Sequence, residues 1–172
     1  PGALLLAAVD LSVGSISVHL PQTSTTRVGA VLSVSTRQLA FSPSVAAWAD
    51  LRLGSYTYGS GQNHNFWSGS VNVGVRPSAA TEAVLTYFRS EGFGVSPLAF
   101  DAVGPDELVT GRLSFQVSPM LTLSAGSTIA LLARPVAARE HFVTLTKAGA
   151  WTVGVTYRLS DGRLLFTAAL PQ

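Results

Sequence analysis

The stretch AWTVGVTYRL, residues 150–159, alternates without a break. Trp151, Val153, Val155, Tyr157 and Leu159 fall on one side of an extended chain, and Thr152, Gly154, Thr156 and Arg158 on the other. A period of two belongs to a β-strand with one apolar and one polar face. The pattern recurs. In TGRLSFQV (110–117), Leu113, Phe115 and Val117 oppose Arg112, Ser114 and Gln116. In WSGSVNVGVR (67–76), Trp67, Val71, Val73 and Val75 oppose Ser68, Ser70, Asn72, Gly74 and Arg76. Turn clusters of Gly, Pro, Ser and Asn interrupt such segments, and no stretch of ten or more residues reads as helix. Strands are expected at 3–9, 11–20, 27–41, 44–58, 66–76, 81–90, 108–117, 120–133, 141–147, 150–159 and 163–170.

Alternation alone does not say which face meets solvent; composition does. Of the 172 residues, 47% are hydrophobic and 12% charged. A soluble domain carries about 25% charged residues. Lys147 is the only lysine, against ten arginines, whereas soluble sheets guard their surfaces and edges with lysine. Arginine sits repeatedly on the face of Ser, Thr, Gly and Asn, where it avoids the roughly 2–4 kcal/mol cost of pointing into lipid at the bilayer midplane. The expected arrangement is therefore inverted. Val71, Val73, Val75, Leu113, Phe115, Val117, Trp151, Val153, Val155 and Tyr157 face lipid. Asn72, Arg76, Arg112, Ser114, Gln116, Thr152, Thr156 and Arg158 line a polar lumen. A soluble barrel or sandwich with the faces reversed is the rival reading.

The connections agree with a membrane barrel. PQTSTT (21–26), GSGQNHN (59–65), SEGFGVSPLAFDAVGPDE (90–107) and RPVAARE (134–140) are the longer connections, while SPS (42–44), RPSAAT (76–81), SP (118–119) and KAG (147–149) are short, and SDG (160–162) is the one tight turn in a long-loop slot. Long external loops alternating with short periplasmic turns are the pattern of outer-membrane barrels, and a ten-residue strand tilted by about 45° spans their apolar band. The expected fold class is all-β, an antiparallel transmembrane β-barrel with about eleven strands here. Residues 1–172 form a single outer-membrane barrel region. Because bacterial single-chain barrels have even strand numbers, the expectation is the C-terminal segment of a longer protein.

Several function classes recede. A net charge of +2 with no basic, aromatic-rich run points away from nucleic acid. The absence of cysteine excludes disulfides, thiol catalysis and cysteine-bound zinc. No run of 18 apolar residues is present, so no transmembrane helix is expected, and PGALLLAAV lacks the features of a signal peptide. Of the three histidines, His19 falls in the strand expected at 11–20, while His64 and His141 admit a rim-located His/Ser/Glu lipid-modifying enzyme, but nothing fixes a serine and carboxylate near either one, and they read as solvated loop histidines. Asp101, Asp106 and Glu107 cluster in the longest loop without the spacing of a calcium loop. Gly92 and Gly94 lack the third glycine and following helix of a phosphate-binding loop, and SEGFGVS reads as a flexible turn. Neither enzyme activity nor a cofactor is expected. Arg52, Arg76, Arg112 and Arg158 form either a positive lumenal wall for anionic substrates or structural bonds to acids such as Asp50. Two irregularities are expected: a register break near Gly14, and either a bulge within 44–58 or tyrosines above the bilayer, since Tyr56 and Tyr58 share the face of Arg52.

The segment TYFRSEGFGVSPLAFDAVGPDELVTGRLSFQVSP resembles the C-terminal barrel of the outer-membrane lipopolysaccharide-assembly protein family, through Ser96, Pro97, Phe100 and Asp101. GVTYRLSDGRLLFTAAL is similar to the closing hairpin of those barrels. The resemblance implies a large barrel in the bacterial outer membrane that passes lipopolysaccharide or another glycolipid to the outer leaflet. It also implies a lateral seam, with 163–170 as one lip, and a plug lipoprotein as partner. A small channel or structural barrel is the alternative.

Overall fold

The computed structural model describes residues 6–20, 23–98, 103–133 and 136–170. Among them there is no helix. Eleven strands run as β1 (Leu6–Leu20), β2 (Thr23–Thr36), β3 (Leu39–Ser42), β4 (Val45–Tyr58), β5 (Asn63–Ser78), β6 (Thr81–Gly94), β7 (Asp106–Ser118), β8 (Leu121–Ala130), β9 (Ala137–Lys147), β10 (Trp151–Arg158) and β11 (Arg163–Ala169). They form one sheet in the order β1-β2-β4-β5-β6-β7-β8-β9-β10-β11, with β3 paired to β4 off that path. Each hairpin whose register is defined is antiparallel. Strand neighbours in the sheet are thus neighbours in sequence, the arrangement of a meander.

The number of strands matches expectation through two compensating differences. The strands expected at 3–9 and 11–20 are a single β1, whose pairing with β2 runs unbroken from Ala8↔Ser35 to Leu20↔Thr23. No register break occurs at Gly14, which lies opposite Gly29. The strand expected at 27–41 is two. Pairing of β2 with β4 ends at Ser35↔Asp50, and β3 resumes at Leu39↔Ala47, so one extra residue is absorbed around Arg37 and Gln38. That is the geometry of a bulge. The Thr36 hydroxyl holds the join by accepting the Ala49 N–H at 2.8 Å. Of the two alternatives for 44–58, a bulge does not occur in the pairing with β2, where β4 keeps constant register from Asp50 to Tyr58. Tyr56 and Tyr58 therefore share the face of Arg52, and Tyr58 is buried.

From β3 onward, connections 59–62, 95–105, 131–136 and 159–162 alternate with shorter ones, 43–44, 79–80, 119–120 and 148–150, whereas the connection expected to be long at 21–26 is only 21–22, outside the described residues. The loop expected at 59–65 shrinks to a tight turn. Gly61 takes a positive φ of 80°, its N–H bonds to the Tyr58 carbonyl at 2.8 Å, and the Tyr58 N–H bonds to the Gln62 carbonyl at 3.0 Å. SEGFG is not a flexible turn either: it completes β6, and the chain leaves the strand at Gly94, whose φ is 87°.

The chain divides into two compact units, one of residues 1–37, 48–71 and 88–106, the other of 38–47, 72–87 and 107–172. Within strands of both, exposure follows parity in the unusual sense. Along β5, His64, Phe66, Asn72 and Gly74 are buried while Val71, Val73 and Val75 are exposed. Along β7, Leu113 and Phe115 are 55% and 50% exposed, and Ser114 between them is 9% exposed. Along β10, Val153, Val155 and Tyr157 are exposed, while Trp151, Thr152, Thr156 and Arg158 are half-buried.

Candidate functional site

The covered face is held together by hydroxyls. In the second unit Ser114 and Ser124, directly opposed, hydrogen-bond at 2.8 Å; Thr110 and Thr128 do so at 3.0 Å, and Thr152 donates to Thr146 at 3.1 Å. Thr86 donates to the Asn72 side-chain carbonyl at 2.8 Å. Cross-strand pairs of this kind stabilise a sheet by a few tenths of a kcal/mol to about 1 kcal/mol each. They also leave few buried polar atoms without partners.

In the first unit the same face carries aromatic rings. Gly29 lies opposite Tyr56, and a Cβ on Gly29 would collide with the Tyr56 ring. A Cβ on Gly54 would collide with the Phe66 ring. Each ring thus occupies the space that a side chain on a neighbouring strand would fill, the packing by which aromatics compensate for strand glycines. The two rings meet at a centroid distance of 5.5 Å, and Phe66 stacks on His64 at 6.2 Å. Above this row lie two guanidinium groups. Arg27 Cζ stands 4.4 Å from the Tyr56 centroid, and Arg52 Cζ 5.7 Å from that of Phe66. Two stacks of glycine, ring and arginine result, and both arginines line a hollow of about 430 Å³, with Ser68, Ser90, Phe88 and Val103 completing its wall. No carboxylate lines it among the described residues.

His64 departs from expectation. It is not a solvated loop residue but sits in β5, 3% exposed. Its Nε2 accepts the Val103 N–H at 3.1 Å, so in the neutral ring Nδ1 carries the hydrogen, and Nδ1 has no partner among the described residues. Three further bonds fasten this connection: Val95 N–H to the Asn63 carbonyl at 2.9 Å, Ser90 hydroxyl to the Gly104 carbonyl at 3.1 Å, and the Tyr58 hydroxyl with Ser96 Oγ at 2.8 Å. Gly92 leaves room for the Val103 carbonyl, which a Cβ would strike. His141 is exposed on β9 opposite Tyr157.

Of the four arginines read either as a positive wall or as partners of acids, two have an acid beside them. Arg52 belongs to the hollow of the first unit. In the second, Arg76 Nε donates to Glu82 at 2.9 Å, beside a hollow of about 510 Å³ that Ser114 and Gln116 help to line. Arg158 lies 3.6 Å from Asp161 in the adjoining turn. Arg112 lies opposite Gly126, which in turn lies opposite Phe142, whose ring fills the space above that glycine. Of the loop motif, Ser96 also receives the Leu98 N–H at 3.1 Å and Pro97 is half-buried, while Phe100 and Asp101 lie outside the described residues. Asp106 and Glu107 start β7, and Glu107 accepts the Tyr87 hydroxyl at 2.8 Å. The side chain of His19 also lies outside the described residues.

Sequence reasoning missed Tyr56, Phe66, Gly29, Gly54 and Arg27 as a group. A signal was present: glycines on the polar parity, with aromatics of the same parity on the next strand. Compared with models of known families, with curated proteins and with solved structures, the chain gives no match.

Proposed function

We propose that this chain is a section of a bacterial outer-membrane β-barrel that moves envelope glycolipid towards the outer leaflet, without catalysing a reaction. The observation that carries the membrane part is the inverted exposure within single strands, as in Leu113, Ser114 and Phe115. In water such a face leaves about 25 cal/mol per Å² of apolar surface unclaimed, whereas hydrocarbon accepts it without cost. The β10 sequence fits a bilayer end to end. Trp151 stands beside the short turn, Val153 and Val155 in the middle, and Tyr157 beside the longer connection. An apolar band between aromatic girdles has this order. Arg89, an arginine on the apolar parity of β6, lies 5.9 Å from the Trp67 ring centroid, a placement suited to the interface.

The glycolipid part rests on the other face. Ser, Thr, Asn and Arg side chains there suit a sugar–phosphate headgroup, while acyl chains require an apolar path. The resemblance around Ser96 and Pro97 favours this cargo over simple diffusion, and a plug lipoprotein belongs to the same proposal.

A photo-crosslinking residue at Phe115 and another at Gln116 test both parts in cells producing the intact protein. The protein is expected to stay in the membrane fraction after urea and alkaline washes. Phe115 is expected to capture phospholipid, and Gln116 glycolipid. Release by the washes sinks the membrane reading. Capture of lipid at Phe115 but of no glycolipid at Gln116 sinks the cargo and leaves a channel or structural barrel.

A further inference from the structure

We infer that the apolar face of β9, β10 and β11 holds a site for an anionic phospholipid, with the lipid phosphate at Lys147 and part of one acyl chain in a groove beside it. The site rests on the proposed membrane location. Two independent observations define it. The first is a groove of about 480 Å³ lined mainly by Val143, Leu145, Val153, Val155 and Phe166. Register explains its shape. Val143, Val155 and Phe166 form one row across the three strands, and Leu145, Val153 and Ala168 form the next row on the same parity. Phe166 is 78% exposed and stands as a wall, whereas the methyl group of Ala168 raises none. The groove is therefore open towards the short turn between β9 and β10. Its size suits a length of hydrocarbon chain rather than a whole lipid.

The second observation is the charge at that open end. Lys147, the only lysine of the chain, lies two residues past Leu145 on the apolar parity and opposite Trp151. It is exposed and makes no ion pair among the described residues. The surrounding strands offer it no acid. β8, β10 and β11 contain neither Asp nor Glu, and the one carboxylate of β9, Glu140, lies at the opposite end, facing Arg158. Arg158 at that far end also has Asp161 beside it. The face thus combines hydrocarbon walls with one uncompensated cation. A lysine at the end of a membrane strand lays its stem along apolar surface and carries its ammonium to the headgroup level, where a lipid phosphate lies. A zwitterionic lipid fits the groove too, but it brings its own ammonium beside its phosphate. Lys147 therefore selects by charge.

Quenching of Trp151 fluorescence by brominated lipid tests the site. The intact protein, with every tryptophan but Trp151 replaced by phenylalanine, is placed in vesicles of equal parts phosphatidylcholine and phosphatidylglycerol. Each lipid in turn is brominated near the carbonyl end of its chains. Phosphatidylglycerol is expected to quench with about threefold to fivefold higher relative affinity, the preference one lysine at a headgroup supports. Lys147→Gln is expected to bring the ratio to about one, and Lys147→Arg to keep it. Phe166→Ala removes the wall, so that lipid is no longer held beside Lys147, and is expected to halve the preference at least. Arg163→Gln, at the far end of the groove, is expected to change nothing. Far-ultraviolet circular dichroism confirms folding of each variant. Should Phe166→Ala fail to fold, Val153→Phe fills the groove instead and is expected to act alike. Should the single-tryptophan background fail to fold, native mass spectrometry of the wild-type protein released from the same vesicles is expected to show retained phosphatidylglycerol that Lys147→Gln loses. Quenching by neither lipid puts Trp151 in water and sinks the membrane reading together with the site. Equal quenching by both keeps the membrane reading and overturns the site alone. A preference that survives Lys147→Gln, or that both groove variants leave untouched, also overturns the site.

Discussion

The ring of Tyr56 lies across Gly29 on the facing strand, filling the space where a side chain would stand. The pair explains why an aromatic occupies the covered, hydrophilic side of the sheet: the glycine makes room, and Arg27 caps the ring. Gly29→Ala is expected to push the ring away and destabilise the fold by about 1–3 kcal/mol, the usual range for overpacking. Gly14→Ala, where nothing lies within 4 Å of the added carbon, is expected to stay within about 0.5 kcal/mol of the parent. Denaturant midpoints in lipid vesicles compare the two.

Ser114 and Ser124 satisfy each other at 2.8 Å on the covered face. Ser114→Ala leaves the Ser124 hydroxyl with a lost partner and is expected to cost about 1 kcal/mol. Ser124→Ala is expected to do the same. The double variant is expected to cost less than the sum, because neither hydroxyl then lacks its mate. A double-mutant cycle measures the coupling, and strict additivity would show that the two do not act as a pair.

Much of the sheet is legible in sequence because a period of two is a local signal. Leu113, Ser114 and Phe115 announce their opposite faces without reference to any other strand. The misread places are those where a distant partner decides. Residues 27–41 look like one strand, and only the pairing of Ala47 and Asp50 with the other side of the hairpin shows where it must jog. Gly14 looks like a break, but the facing Gly29 keeps the register. His64 looks like a loop residue because its neighbours are polar, yet Val103, far along the chain, supplies the N–H that buries it. The choice between the two readings of the arginines also depends on distant partners. Arg52 and Arg76 are chemically identical in sequence, and only Phe66 and Glu82 separate a stacked cation from a neutralised one.

His64 fastens the connection after β6 by accepting the Val103 N–H. His64→Ala removes the acceptor, and the Val103 amide is expected to exchange its hydrogen about fivefold faster, as expected when a bond worth ~1 kcal/mol to local opening is lost. His64→Gln, whose side-chain carbonyl can accept, is expected to restore part of the protection. Limited proteolysis within 95–105 is expected to follow the same order. Unchanged exchange at Val103 in His64→Ala would mean that Val95, Ser90 and Tyr58 hold the segment by themselves.

The two faces of β7 give the most direct measure of what surrounds the sheet. Leu113, 55% exposed, and Gln116, also exposed, lie on opposite parities of one strand. In water, an arginine at either position would be close to neutral, since exposed substitutions away from special features rarely exceed about 0.5 kcal/mol. In a bilayer the two differ. Leu113→Arg is expected to cost about 2–4 kcal/mol if it sits near the midplane, and Gln116→Arg, directed to the polar side, close to nothing. Unfolding in vesicles of matched thickness gives both numbers in one solvent. Repeating the pair in vesicles of shorter-chain lipid is expected to shrink the Leu113→Arg penalty, because a thinner core brings the guanidinium closer to water. Equal and small effects at both positions, independent of lipid length, would place Leu113 in water and remove the membrane reading.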